Sequence, residues 1–99
     1  MKNYYVEEDE PKFEDLDKEK QKILLGWIKE NFSPIKNTNY KVSSSYGLKH
    51  IMQRENPEDY YFTNEQFKKA MLLCGFVPGD AHKRNWHFNI SSKSPAFKK

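Results

Sequence analysis

A single cysteine, Cys74, stands in the 99-residue chain. No intramolecular disulfide can therefore form, and no thiolate metal cluster can be assembled. Glycine is scarce as well, with four in all, and none belongs to a phosphate-cradling loop. His50, His82 and His87 come without a Cys-x-x-Cys or His-Glu-x-x-His spacing, which removes the familiar routes to zinc. A free cysteine on the apolar face of a helix behaves as a small hydrophobe. The serines Ser43, Ser44 and Ser45 near His50 fit a helix cap better than a nucleophile set. The expectation is a protein that is not an enzyme and uses no cofactor or metal. No apolar run approaches the roughly 18–20 residues that span a bilayer. The opening Met1-Lys2-Asn3-Tyr4-Tyr5-Val6-Glu7 lacks the apolar stretch of a secretory signal. The triplets at Asn31 and Asn89 then carry no glycosylation meaning, and the cytoplasm is the expected location, with no membrane partner.

What the chain does have is aromatic side chains and an uneven charge. It is 36% hydrophobic, 31% charged and 15% aromatic, and the last figure argues against disorder. One small domain with an aromatic core follows. Residues 1–17 hold seven acids (Glu7, Glu8, Asp9, Glu10, Glu14, Asp15, Asp17) against Lys2 and Lys12, a net −5. The remaining residues hold fifteen bases against seven acids, a net +8. A basic body carries an acidic leader.

The leader, residues 1–13, has no clean period and contains Pro11, so it reads as a mobile acidic tail. It either solvates the protein or imitates phosphates in a basic groove, the chain's own or a target's. A helix is expected over residues 16–32, capped by Asp15 or Asp17. Leu16, Ile23, Leu24, Trp27, Ile28 and Phe32 form its buried stripe, and Ser33-Pro34 ends it. Tyr40-Lys41-Val42 alternates like a short strand. The three serines precede a second helix bearing Leu48, Ile51 and Met52, closed by Asn56-Pro57. Tyr60-Tyr61-Phe62 reads as extended.

The sharpest local signal comes next. Thr63-Asn64-Glu65-Gln66 is a capping box, and Phe62 with Phe67 makes a hydrophobic staple. The helix they start buries Phe67, Ala70, Met71 and Cys74. Gly75 ends it, and Phe76 folds back toward Met71. Phe76-Val77 is expected as a strand, Pro78-Gly79-Asp80 as a turn, and residues 81–85 as a basic loop. Trp86-His87-Phe88-Asn89-Ile90 alternates strictly, as a half-buried strand does. Residues 93–99 are expected as a basic, frayed end.

The order helix, strand, helix, helix, strand, loop, strand defines an α+β fold: three helices with a small antiparallel sheet, arranged as in a winged helix-turn-helix. Residues 14–92 form this single domain. The seven residues between Glu55 and Thr63 exceed the three or four of an ordinary helix-turn-helix connection. In that fold the third helix enters a major groove, presenting Asn64, Gln66, Lys68 and Lys69, while His82, Lys83 and Arg84 tip the wing. Lys41, Lys49 and Arg54 flank this surface. Such residues equally suit an ordinary solvated face. Tyr46, Tyr60, Tyr61 and Trp86 are expected as core or half-buried sheet residues, whereas an exposed tyrosine cluster would instead anchor a protein partner.

Ser44-Ser45-Tyr46-Gly47-Leu48-Lys49-His50, Tyr61-Phe62-Thr63-Asn64, Phe67-Lys68, Ala70-Met71 and Asn85-Trp86-His87-Phe88-Asn89-Ile90-Ser91 carry a resemblance. Over residues 43–91 the chain looks like small uncharacterised proteins encoded in Gram-positive phages and other mobile elements. The resemblance implies a setting in which small proteins regulate DNA or block host defences, and it implies no reaction. Two functions are expected from these observations. The first is a non-catalytic, regulatory nucleic-acid-binding protein, with double-stranded DNA as the leading target. The second is a phage-type inhibitor of a host protein or nucleoprotein complex, such as a defence nuclease. A monomer or a homodimer suits either.

Overall fold

The computed structural model describes residues 4–55 and 61–98. Three helices carry the architecture: α1 (Lys18–Asn31), α2 (Ser45–Glu55) and α3 (Asn64–Leu73). Two single-turn 3-10 helices, Phe13–Asp15 and Pro95–Phe97, lie towards the ends of the chain. α3 packs against α1, α2 and the first 3-10 turn, so it is the centre of the fold and not a face of it.

Local chemistry explains where each helix begins and ends. Asp17 caps α1, its carboxylate accepting from the Lys20 N–H. Leu24, Ile28 and Phe32 are buried along one stripe. In α3 the Thr63 hydroxyl accepts from the Gln66 N–H at 3.1 Å and the Gln66 side chain accepts from the Thr63 N–H at 2.9 Å, the reciprocal box read from the sequence. Phe62 and Phe67 are both buried. At the far end Gly75 has φ +92°, a conformation that L side chains resist. There the Phe76 N–H donates to the Met71 carbonyl and the Gly75 N–H to the Leu72 carbonyl, a Schellman ending. The Asn56-Pro57 stop and Tyr60 lie outside the described residues.

The α+β expectation is overturned: among the described residues there is no strand and no sheet, and the fold is all-helical. With the sheet goes the winged helix. Tyr40 and Lys41 form a turn, and Phe76-Val77 is not a strand. Residues 86–90 are extended and alternate as expected, with Trp86, Phe88 and Ile90 buried. Pairing fails for a physical reason. The only two bridges among the described residues pair Ile90 with Pro34 and Phe88 with Pro78, and proline has no N–H with which to continue a ladder. One edge of the segment is divided between two short pieces of chain. The Ile35 N–H donates to the Asn89 carbonyl and the Gly79 N–H to the His87 carbonyl. The Asn89 side chain fills the junction, accepting from the Val77 N–H and donating to the Ile35 carbonyl. On the other edge the Asn39 N–H meets the Phe88 carbonyl and the Ser45 N–H meets the Trp86 carbonyl. Four partners share one extended segment, and none is long enough to make a sheet.

The two terminal segments also have partners. Tyr5 donates its N–H to the Ala81 carbonyl, and Phe13 is buried. The Lys12 ammonium donates to the carbonyls of Glu7, Glu8 and Glu10, gathering the acidic run into a turn. Ser94 accepts from the Ser33 N–H, and the Phe97 ring lies 5.9 Å from that of Phe32.

Candidate binding cleft

The residues expected to read a nucleic acid from the third helix are mostly inside the protein. Lys68 is 1% exposed. Its ammonium donates to Glu65 Oε2 at 2.9 Å, to the Arg84 carbonyl at 2.8 Å and to the Tyr5 carbonyl at 3.2 Å. It also lies 4.2 Å from the centre of the Trp86 ring, a favourable place for a cation. Three acceptors and a ring saturate it. Gln66 is buried in the capping box, with its Nε2 on the Lys12 carbonyl. Asn64 is buried and donates to the Arg84 carbonyl and to Asn85 Oδ1, while its own Oδ1 has no donor among the described residues. Lys69 is exposed, 3.9 Å from Glu14. His82, Lys83 and Arg84 are exposed in the 81–85 loop. The structure thus gathers Asn64, Lys68 and Arg84 around α3 but leaves only Lys69, His82, Lys83 and Arg84 open to solvent.

The acidic leader accounts for this. Glu10 Oε2 lies 3.2 Å from Arg84 Nη2, and its Oε1 accepts from the Glu65 N–H at 3.1 Å. Glu7 Oε2 is 3.6 Å from Arg84 Nε, and the Glu7 N–H donates to Glu65 Oε2. A carboxylate at the amino end of α3 is favoured by the helix dipole and by the free N–H groups there. The hydrogen bond that Arg84 donates to Glu10, with the charge of Glu7, holds the guanidinium above its ordinary pKa. Leader, α3 and loop make one ion-paired unit.

Beside that unit a cleft of about 310 Å³ opens, lined by Tyr46, Lys49, Tyr61, Asn64, Arg84 and Glu10 among others. This is the lower end of the roughly 300–1,000 Å³ typical of ligand sites. Its floor is Lys49, only 6% exposed. The Lys49 ammonium is 5.4 Å from the ring centres of both Tyr46 and Tyr61, and it makes no hydrogen bond or ion pair among the described residues. Burial pushes its pKa down, and the Glu10 charge offsets part of that. Tyr46 and Tyr61 are 53% and 71% exposed, so the walls of the cleft are aromatic and wet. Tyr46 and Lys49 share a face because they are three apart on α2. That spacing and the possible tyrosine cluster were the signals in the sequence for this site, and Lys49 had been expected only as a flanking charge.

Chemically, the cleft offers a cation near two aromatic rings that has no ion pair among the described residues, with a guanidinium at the rim. Among the described residues no group of three or more His, Cys, Asp or Glu side chains is placed to hold a metal. Burial raises the Cys74 thiol above its ordinary pKa, which disfavours the reactive thiolate. No helix among the described residues is long and apolar enough to cross a membrane. Comparison with protein-family models, with curated proteins and with solved structures yields no match.

Proposed function

We propose that this is a non-catalytic nucleic-acid-binding protein whose contact surface is the Lys49 cleft together with the exposed cations of residues 82–84. One observation carries the reading: a buried lysine with no acid partner among the described residues, framed by two exposed tyrosines and adjoining Arg84. An unpaired buried charge is costly to keep, and a phosphate is the partner that such a site lacks. The outer face of α3 is a poorer candidate, because its polar first turn is consumed by the leader and the loop. The resemblance to small phage and mobile-element proteins agrees with a regulatory role of this kind.

The test is fluorescence anisotropy with labelled oligonucleotides across a salt series. Affinity should fall with salt, and Lys49→Met should flatten the slope by about 0.7–0.9 for one lost phosphate contact. Lys69→Glu should leave affinity within about twofold, since a charge outside the contact contributes little once salt screens it. Absence of any salt-dependent binding sinks the proposal.

The exposed tyrosines favour a second reading. Tyr46 and Tyr61 are suitable anchors for a protein surface, as in an inhibitor of a host protein or nucleoprotein complex. Salt-insensitive binding to a protein, lost in Tyr61→Ala, would select it.

A further inference from the structure

We infer that the cleft takes one splayed nucleotide of a single strand, and that Glu10 is the resident competitor its phosphate must displace from Arg84. This rests on the nucleic-acid reading above and narrows it to a substrate class.

Three features of the site carry the inference. First, one cation lining the cleft, Lys49, makes no hydrogen bond or ion pair among the described residues and lies at equal distances of 5.4 Å from two ring centres. An anion reaching Lys49 comes close to Tyr46 and Tyr61, so the base of the nucleotide that carries it meets an aromatic surface. In a duplex the bases are already stacked and paired and cannot turn onto tyrosine, whereas unpaired bases can. Second, the cleft admits a nucleotide-sized group, about 310 Å³, and not the width of a double helix. Third, Arg84 is 58% exposed at the rim yet already engaged by a carboxylate. Glu10 there occupies the position an incoming phosphate needs, with one oxygen on the guanidinium and the other on a backbone N–H at the start of α3. Among the described residues the lining of the cleft has two cations and one acid. Release of Glu10 removes the acid that lines the described part of the cleft and leaves Lys49 and Arg84 there, with Glu7 still 3.6 Å from Arg84 Nε, a balance that favours a phosphodiester chain.

The probe is a fluorescein-labelled single strand of about 12 thymidines, within the span of roughly 4–16 nucleotides that compact single-strand sites cover, alongside a duplex of the same length. The full chain is expected to bind the single strand at least tenfold more tightly than the duplex. Tyr61→Ala, at an exposed position that the fold does not need, should weaken single-strand binding about 5- to 150-fold, the loss associated with one stacked base, and leave duplex binding unchanged. Glu10→Gln keeps the acceptor for the Glu65 N–H and removes the charge, so it should tighten single-strand binding several-fold at low salt. Melting curves establish that both variants are folded. Equal binding of duplex and single strand with no effect of Tyr61→Ala overturns the inference and leaves the nucleic-acid reading standing. Weaker binding by Glu10→Gln overturns the competitor role. No binding to either probe at low salt overturns both.

Discussion

Two lysines, nineteen positions apart, are both buried in this protein, and their surroundings could hardly differ more. Lys68 has a carboxylate, two carbonyls and an indole face around its ammonium. Lys49 has two phenol rings and an open cleft. The first is the pattern of a group that holds the fold together. The second is the pattern of a group held for something else, because folding alone gains nothing by burying a cation short of partners. On α3 the charges are spent within the fold, whereas on α2 the Lys49 charge has no ion pair among the described residues.

The sharpest way to break the comparison is to remove each lysine in turn. Lys68→Met strands the buried Glu65 carboxylate and two carbonyls, and should cost about 3–5 kcal/mol of unfolding free energy, read from the urea midpoint. Lys49→Met strands no hydrogen-bond or ion-pair partner among the described residues and should leave stability equal or higher while binding is lost. If both variants destabilise alike, Lys49 is structural and the cleft is a packing defect.

A smaller effect tests whether the α3 frame is what the cap chemistry implies. Thr63→Ala removes the hydroxyl that accepts from the Gln66 N–H and donates to the Pro11 carbonyl. It should cost about 0.5–2 kcal/mol. An unchanged midpoint would show that the leader secures the amino end of α3 without the cap.

The smallest effect sharpens the account of Lys49 through pH. Its folded pKa is lowered by burial from the ordinary 10.5. Below that folded value both states carry the proton and the cost of the buried charge is fully present. As pH rises through it, the native state loses its proton first and the unfolded state binds more, so stability rises until the unfolded lysine also titrates. Urea midpoints measured in that alkaline window should climb with pH in the native sequence, and less in Lys49→Met. Parallel profiles would mean that Lys49 is not desolvated.

Local physics was legible in the sequence, and long-range pairing was not. The capping box at Thr63, the Schellman glycine at Gly75 and the buried stripe of Leu24, Ile28 and Phe32 each depend on neighbours within a few residues, and each was placed correctly. The alternation of Trp86, Phe88 and Ile90 was also read correctly as extended backbone with one buried face. What it would pair with depended on Pro34, Asn39, Ser45 and Pro78, scattered over much of the chain. No period records that. The error at α3 has the same origin. Asn64, Gln66 and Lys68 lie on the polar side of a helical wheel, which predicts solvent, until Glu10 closes onto Arg84 across 74 positions. Tyr46 and Lys49 were within reach of a helical-spacing argument, whereas Tyr61 joins them only through the tertiary fold.

The divided backbone pairing of residues 86–90 has a consequence for how the protein keeps company with itself. Trp-His-Phe-Asn-Ile is a short, uncharged, aromatic-rich run without proline, the composition that seeds stacking of like segments between chains. Such a run is dangerous when it presents a free edge along which another molecule can zip. Here one edge is stoppered by Pro34, Pro78 and the Asn89 amide, and the other is taken by single N–H groups from residues 39 and 45. Apart from the segment's own Asn89, the stoppers come from residues 34, 39, 45 and 78, so no single local opening frees the whole segment. Resistance to self-association is thus built from the same scattered contacts that prevent a sheet, and a concentrated solution of the folded protein should stay clear until the fold itself gives way.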